Sequence, residues 1–196
     1  MKFCSTCGGA NLGSRIPEGD TLPRIVCGDC ETVHYQNPRV VVGCLPVWED
    51  KVLLCKRAIE PRYGLWTLPA GFLENGETVE QGALRETLEE ANARVELGDL
   101  YTMISLIHVH QVYMMYRAQL SSLDFGPGTE SLEVRLFAEA EIPWEALAFR
   151  TITRTLRRYF LDRKLGTFAF HSSAIDRPRR TPQDGPGAAK RTSSIH

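Results

Sequence analysis

The sequence has no long hydrophobic segment and no marked excess of charge of either sign. Of its 196 residues, 23 are Lys or Arg and 24 are Asp or Glu, so the formal net charge is -1. No apolar run approaches the roughly 18 residues of a membrane-spanning helix. A balanced charge also provides no general attraction for nucleic acid or for a membrane surface. We therefore expect neither a nucleic-acid partner nor a membrane partner.

The first residues, MKFCSTCGGANLGS, lack the apolar stretch of a secretory signal, and we expect a cytoplasmic protein. The length allows one ordinary domain with a small additional module. We predict a cysteine-bearing module at residues 1–36 and a main domain at residues 37–172. Residues 173–196, rich in Pro, Gly, Ser and Arg, are predicted to be a flexible tail because they cannot bury enough apolar surface.

Two C-x-x-C pairs mark the first module. Cys4 and Cys7 form one pair, Cys27 and Cys30 form the other, and nineteen residues separate the pairs. This spacing falls within the range of four-cysteine zinc ribbons, in which four thiolates complete a tetrahedron. Two disulfides or free thiols are the alternatives, and a reducing compartment disfavours the disulfides. A site closed by four thiolates has no open position for substrate, so the predicted Zn²⁺ is structural.

A glycine-bounded loop that turns into a helix is predicted within residues 71–93, GFLENGETVEQGALRETLEEANA. Thr78, with Gln81 three residues later, fits a capping box at the start of this helix. At about 100° per residue, one face of the helix is predicted to pack on the core. That face consists of Ala83, Leu84, Thr87, Leu88 and Ala91.

The same helix gathers three carboxylates away from that face. Glu86 and Glu90 share one side of the helix, and Glu89 lies at its edge. Like charges at this spacing repel, so the cluster is unfavourable unless a cation or Arg85, one turn from Glu89, offsets it. Hard oxygen ligands of this kind suit Mg²⁺ or Mn²⁺. The alternative is a solvated Glu-rich helix.

Apolar runs predict strands in the rest of the main domain. The expected strands are 40–47 and 51–56, which form a hairpin, and 94–109, 112–120 and 132–138. Residues 151–164 form an amphipathic pattern with an Arg-rich outer side. Strands with two main helices predict an α/β sandwich, with one helix on each side of the sheet. His108 and His110 would alternate on a strand and share a face, but two histidines are an incomplete metal set.

The spacing around the glutamates resembles the signature of the Nudix hydrolases, which cleave diphosphates linked to another moiety. The matching positions are Gly71, Glu77, Arg85, Glu86, Glu89 and Glu90. Thr87 stands where the family usually has an aliphatic residue, and Asn92 stands where it usually has glycine. Thr87 keeps a methyl group for the core, and Asn tolerates the left-handed conformation that ends a helix. The resemblance implies an α/β/α sandwich with a mixed sheet, preceded by a small zinc ribbon.

The resemblance also implies how a catalytic Mg²⁺ or Mn²⁺ would be held. Glu86 and Glu90 are expected to be the main ligands, with Glu89 in a supporting role. The backbone carbonyl of Gly71 is expected to be a further ligand, although a tight turn would equally explain this glycine. Arg85 is expected to hold Glu89 in place.

Three further glutamates receive roles by the same comparison. Glu77, at the end of the loop, is expected to support the metal ligands from behind. The family often supplies another catalytic carboxylate from the loop before the penultimate strand, and Glu130 fits that position. Glu133 is the second choice, and either residue could be an ordinary surface glutamate.

The resemblance covers roughly residues 4–165 and is closest to a zinc-ribbon Nudix group that includes plant FAD pyrophosphatases. NADH pyrophosphatases also join a ribbon to this signature, but they carry an SQPWPFP-type motif where this chain reads YTMISLIHVHQVYMMYRAQL. The expected substrate is therefore a small nucleotide, FAD (giving FMN and AMP) and/or ADP-ribose, with NADH as the alternative. A non-catalytic nucleotide-sensing module is a further alternative, although such modules usually lose carboxylates that are all present here. Since the family often forms dimers, a homodimer is also considered.

Overall fold

The computed structural model describes residues 1–176, which divide into two compact units after Pro38. The first unit contains three short antiparallel strands in the order β1-β2-β3. They are β1 (Leu12–Arg15), β2 (Arg24–Cys27) and β3 (Val33–His34). Within the described part of the chain, no helix has both the length and the apolar character needed to cross a membrane.

The second unit consists of one large sheet and two helices. Its strands are β4 (Arg39–Trp48), β5 (Lys51–Arg57), β6 (Trp66–Thr67), β7 (Ala70–Phe72), β8 (Val95–Leu106), β9 (Gln111–Leu120), β10 (Ser131–Phe137) and β11 (His171–Ile175), and its helices are α1 (Val79–Ala91) and α2 (Arg150–Leu165). The main strand order is β10-β5-β4-β9-β8-β11, with β6 beside β5 and β7 beside β4. The pairs β4/β9 and β8/β11 are parallel and the others are antiparallel, so the mixed sheet is confirmed.

The two helices cover opposite faces of this sheet, as predicted. Successive side chains of a strand point to opposite faces. On β4, Leu45 and Val47 pack in the cluster that includes buried residues of α2. Val42 and Cys44, at the alternate positions, pack with Ala83 of α1. The central strand therefore supports the glutamate helix on one face and the C-terminal helix on the other.

Helix α1 begins with the predicted capping box. Thr78 accepts a hydrogen bond from the Gln81 backbone N–H, and the Gln81 side chain accepts one from the Thr78 N–H. The predicted core face is wrong in part, because Leu84 and Leu88 are 38% and 47% exposed. The buried positions of the helix are Gly82, Ala83, Glu86, Thr87, Glu90 and Ala91. The helix therefore turns two of its carboxylates, and not its leucines, inward.

Two further sequence predictions differ from the structure. Strand β8 ends at Leu106, and residues Ile107–Val109 form a 3-10 turn that precedes a left-handed His110. The prediction that His108 and His110 alternate on one strand is therefore wrong. At the other end of the chain, β11 crosses the predicted boundary between residues 172 and 173, because it pairs with β8 as far as Ile175. Most of the predicted tail lies outside the described residues.

Candidate active site

The loop between β7 and α1 brings a backbone segment against the helix carboxylates. Gly71 pairs with Val42 of β4 and faces α1. A side chain at Gly71 would overlap the Glu86 carboxylate, which would have to move. The absence of a side chain at Gly71 therefore leaves room for Glu86 in its position beside β7.

Arg85 links the loop and the helix through one guanidinium group. Its Nη1 donates to Glu86 at 2.7 Å and to Glu89 at 3.0 Å. Its Nε and Nη2 form a fork on the Glu77 carboxylate at 3.0 and 2.8 Å, and Nη2 also donates to the Phe72 carbonyl at 3.1 Å. The sequence analysis predicted the contact with Glu89 alone. Two parallel hydrogen bonds from one guanidinium group fix the orientation of the carboxylate and also strengthen the ion pair.

Glu77 is held by Arg85 and by the loop itself. The hydrogen bond from Arg85, followed by that from the Glu74 backbone N–H, lowers the pKa of Glu77 to about 2. Glu77 is therefore ionised throughout the physiological range and makes an ion pair with Arg85. Its carboxylate is occupied by these two partners, which agrees with a supporting position behind Glu86 and Glu89.

Glu86 and Glu90 are buried carboxyl groups, and Glu86 forms an ion pair with Arg85, whereas Glu90 forms none among the described residues. Burial raises the pKa of Glu86, although Arg85 acts in the opposite direction. Burial, followed by the charge of Glu86, raises the pKa of Glu90 to about 8. Oε2 of Glu90 is buried and has no hydrogen-bond partner among residues 1–176. Charged oxygens in a buried site need a cation or a donor, so this pair fits a bound Mg²⁺ or Mn²⁺.

The loop before β10 lies against the end of α1. The N–H groups of Gly126 and Gly128 donate to the carbonyls of Ala91 and Glu90, at 2.9 and 3.1 Å. A side chain at Gly128 would overlap the backbone carbonyl oxygen of Glu89. The loop therefore approaches the helix backbone as closely as glycine allows, and it carries Glu130 toward the carboxylate cluster.

The structure distinguishes the two candidates for the further carboxylate. The charge of Glu130 contributes to the raised pKa of both Glu86 and Glu90. Glu133 is at strand register with Lys56 and lies 3.8 Å from its ammonium group. The side chain of Glu130 is solvent-exposed, and its carbonyl accepts a hydrogen bond from Ala58 at 2.8 Å. The charge of Glu130 therefore acts on both buried carboxyl groups, whereas Glu133 lies beside Lys56.

Arg57 is part of this neighbourhood and was not found from the sequence. Its positive charge acts on Glu90 and partly offsets the effect of burial on the pKa of that carboxyl. The Arg57 guanidinium lies 5.1 Å from the ring centroid of Phe149, and its Nε donates to the Pro61 carbonyl at 3.0 Å. Arg57 is at the end of β5 and pairs with Ser131 of β10, a strand pairing that the sequence alone does not show.

In the first unit, the four cysteines that were predicted to bind zinc have their sulfur atoms close together. The Sγ atoms of Cys4 and Cys30 are 3.7 Å apart, those of Cys7 and Cys27 are 3.6 Å apart, and all four lie within 4.8 Å of one another. A tetrahedron with Zn–S bonds of about 2.3 Å has sulfurs about 3.8 Å apart. All four are free cysteines, so the disulfide alternative is wrong. The cluster fits a structural Zn²⁺.

The thiol pKa values in this cluster are strongly perturbed. The Thr32 hydroxyl, followed by the Thr32 backbone, lowers the pKa of Cys30 to about 6. The Gly9 backbone lowers the pKa of Cys7, but contacts with the Cys30 and Cys27 thiols outweigh it and raise that pKa to about 12. Four sulfurs at this separation therefore do not ionise together without a cation. This is the electrostatic environment of a closed metal site.

Models of two known families match consecutive parts of this chain. The NUDIX domain model matches residues 37–159, and the zinc-ribbon model described as Nudix N-terminal matches residues 2–36. The chain belongs to the Nudix hydrolase family. The cysteine-bearing unit and the domain that contains the glutamate helix are thus matched by separate models of the same family.

Individual Nudix relatives differ in how much of the chain they share. The crystal structure of a NUDIX hydrolase from Nitrosomonas europaea is 64% identical, covers 90% of this chain and 99% of its own, and has a TM-score of 0.86. The NAD-capped RNA hydrolase NudC of Photobacterium profundum is 32% identical over 162 residues, 80% of this chain and 56% of that protein. The chain spans about half the length of the curated relatives that it matches.

More distant solved structures share the fold alone. An ADP-ribose pyrophosphatase from Streptococcus suis is 17% identical, covers 71% of this chain and 100% of its own, and has a TM-score of 0.55. The Nudix fold thus accommodates this chain even where sequence identity is low. The residue roles described above depend on the geometry of this chain and not on that likeness.

Proposed function

We propose that this protein is a metal-dependent diphosphatase acting on a nucleoside diphosphate derivative. The observation that carries the proposal is the buried pair Glu86 and Glu90, of which Glu90 has an oxygen without a hydrogen-bond partner among the described residues. Two buried carboxylates of one sign are unfavourable in isolation. They become favourable when they hold a divalent cation beside a diphosphate.

Glu86 and Glu90 would hold Mg²⁺ or Mn²⁺, with Glu89 and the Gly71 carbonyl as further ligands. A bound cation would neutralise charge on the diphosphate oxygens and lower the pKa of a bound water. Arg85 fixes the carboxylates of Glu86 and Glu89, so that these groups need no rearrangement during the reaction.

Glu130 would accept the proton of the attacking water, since it is exposed and its charge acts on the buried carboxylates. The water oxygen forms a new bond to one phosphorus, and the bond from that phosphorus to the bridging oxygen breaks. The leaving phosphate keeps the bridging oxygen. The products are two monophosphates.

The preferred substrates proposed here are FAD and ADP-ribose. The choice follows the resemblance of the sequence to the zinc-ribbon group that includes FAD pyrophosphatases, together with the absent SQPWPFP-type motif. FAD would give FMN and AMP. NADH is the second candidate, and it is favoured by the NudC relatives, whose names refer to NAD-capped RNA.

A substrate panel tests the proposal. Values of kcat/KM are measured for FAD, ADP-ribose, NADH and nucleoside triphosphates with Mg²⁺ and with Mn²⁺, and products are separated by chromatography. Because one apolar or aromatic contact discriminates by about ten- to two-hundredfold, we expect a preference and not exclusivity among FAD, ADP-ribose and NADH. If NADH outranks both FAD and ADP-ribose, the second candidate is correct. If only triphosphates are cleaved, the proposed substrate class is wrong.

A further inference from the structure

The side of α2 that faces away from the sheet carries a stripe of basic and apolar residues. Since each residue turns the helix by about 100°, six of its side chains fall within a sector of about 100°. They are Arg150, Arg154, Arg157, Arg158, Leu161 and Leu165, and all six are exposed. We call this set the outer stripe of α2. It extends about 22 Å along the helix axis, and the proposed reaction does not use it.

The outer stripe contains four positive charges and no carboxylate. Asp162 is the only acidic residue of α2, and its side chain points inward, where it is buried. Arg154 donates a hydrogen bond to the Ala174 carbonyl, and Arg157 lies over the ring of Trp144. Because these partners are uncharged, they orient the two guanidinium groups without neutralising them. The stripe therefore attracts a partner that presents several negative charges.

The last two turns of the outer stripe are apolar. Leu161 is 47% exposed and Leu165 is 70% exposed. A third apolar group, Phe170, is 52% exposed and lines a cavity of about 450 Å³ together with Arg154 and Arg158. Basic residues joined to large apolar side chains on one exposed face are typical of helices that lie at a membrane surface.

Two other kinds of partner fit the outer stripe less well. A second copy of this chain, packed through the same stripe, would place the four arginines of one copy against the four of the other, and like charges repel. A nucleic-acid strand would contact the arginines but leave the two leucines in water. An anionic lipid surface suits both parts, because its headgroups attract the guanidinium groups and its acyl boundary accepts the leucines.

We propose that the outer stripe of α2 docks the protein on the surface of a membrane that contains anionic phospholipid. The four arginines contact lipid headgroups, and Leu161 and Leu165 enter the boundary between headgroups and acyl chains. The overall charge balance predicted no such partner, because it averages this stripe with acidic residues elsewhere in the chain. The docking does not depend on the proposed function, since α1 and its carboxylates cover the other face of the sheet.

Sedimentation of the full chain with lipid vesicles tests the docking. The protein should bind vesicles of phosphatidylcholine with about 30% phosphatidylserine at least about tenfold more tightly than phosphatidylcholine alone, and less tightly as salt is raised. Each lost charge weakens such binding about fivefold, so Arg150→Gln with Arg158→Gln should weaken it at least about tenfold. The control, Arg94→Gln with Arg135→Gln, makes the same change in net charge and should bind as the unaltered protein does. Arg94 follows α1, and Arg135 lies on β10, at the opposite edge of the sheet from β11.

Leu161→Ser with Leu165→Ser separates a membrane from other anionic partners. Both side chains are exposed, so the melting temperature should be kept, whereas vesicle binding should weaken at least about threefold with no change in its salt dependence. Vesicle binding equal to that of the unaltered protein would show that no leucine enters the lipid, and the proposal would be wrong. It would also be wrong if the unaltered protein did not bind phosphatidylserine vesicles, or if the control variant lost as much binding as the arginine variant. Arginine-dependent binding to an oligouridylate without vesicle binding would overturn the proposal in favour of nucleic acid.

Discussion

The side-chain amide of Asn92 donates a hydrogen bond to the carbonyl of Pro127 at 3.0 Å, across thirty-five positions of the chain. Asn92 also ends α1 in the left-handed conformation, with a φ of 47°. Where related sequences usually have glycine, this chain therefore uses a residue that both ends the helix and binds the loop that leads to Glu130. The departure from the usual signature adds an attachment that glycine could not provide.

Substitutions at Asn92 should separate these two roles. Asn92→Gly keeps the left-handed conformation and loses only the side-chain hydrogen bonds, so its unfolding free energy should change by about 1 kcal/mol or less. Asn92→Ala loses the same bonds and adds the left-handed penalty of about 1 to 2 kcal/mol. Chemical denaturation of both variants measures the difference. Equal stabilities would show that the conformation at Asn92 carries no strain.

Glu90→Gln should abolish activity and leave the fold intact. The amide keeps the shape but loses a charged ligand, so kcat should fall at least about a hundredfold, on the order of 3 kcal/mol. Steady-state kinetics at saturating Mg²⁺ measures the loss. A folded variant with unchanged turnover would remove Glu90 from the reaction.

The same variant should change how stability depends on pH. In the metal-free protein, the pKa of Glu90 is raised from 4.5 to about 8, so the folded state holds a proton that the unfolded state has lost between these values. The free energy of unfolding should therefore fall as the pH rises through this window. Glu90→Gln should reduce this fall, although the raised pKa of Glu86 would preserve part of it, whereas Glu89→Gln, at a side chain 58% exposed, should retain it. Thermal melts in a chelator, taken from pH 5 to pH 8, test the difference.

Arg85→Lys should weaken the site although it conserves the charge. A lysine ammonium cannot form the fork on Glu77 and reach Glu86 and Glu89 together. We expect kcat/KM to fall at least about tenfold, with a higher Mg²⁺ concentration at half-maximal rate, since hydrogen bonds to charged groups contribute about 1.5 to 3 kcal/mol each. A magnesium titration of activity measures both effects. Unchanged metal dependence would mean that Arg85 has no part in placing the ligands.

Cys27→Ser should affect the first unit and spare the chemistry of the second. Cys27 is fully buried in the four-sulfur cluster, and its loss should reduce zinc content and lower the melting temperature. Elemental analysis and thermal melts measure these changes. The Mg²⁺ requirement of catalysis should remain that of the unaltered protein. Unaltered protein that contains no zinc after purification without chelator would contradict the structural assignment.

The sequence predicted those features that depend on spacing along the chain. The capping box at Thr78 and Gln81 is a local pattern, and so are the paired cysteines. The inward rotation of α1 could not be predicted, because it depends on tertiary contacts: Glu86 lies against Gly71 of β7, whereas Leu88 is exposed. A hydrophobic pattern indicates which residues favour burial, and tertiary contacts decide which of them are buried.

Contacts between residues that are far apart along the chain could not be predicted from the sequence either. The fork between Arg85 and Glu77 joins residues eight positions apart through a turn. Arg57 reaches the site only because β5 pairs with β10. The overall charge balance, near zero, likewise gave no indication that four exposed arginines gather on one side of α2. Such groupings depend on strand order and helix rotation, which residue counts do not contain.

The single guanidinium of Arg85 holds the Phe72 carbonyl, Glu77 and two helix carboxylates at once. Residues 72–77 therefore lose their conformational freedom when the protein folds, and not when a cation arrives. Little ordering entropy then remains to oppose cation binding. Backbone amides in this loop should consequently show similar hydrogen-exchange protection with and without Mg²⁺. The loop would then keep one conformation and would not close over the cation when it binds.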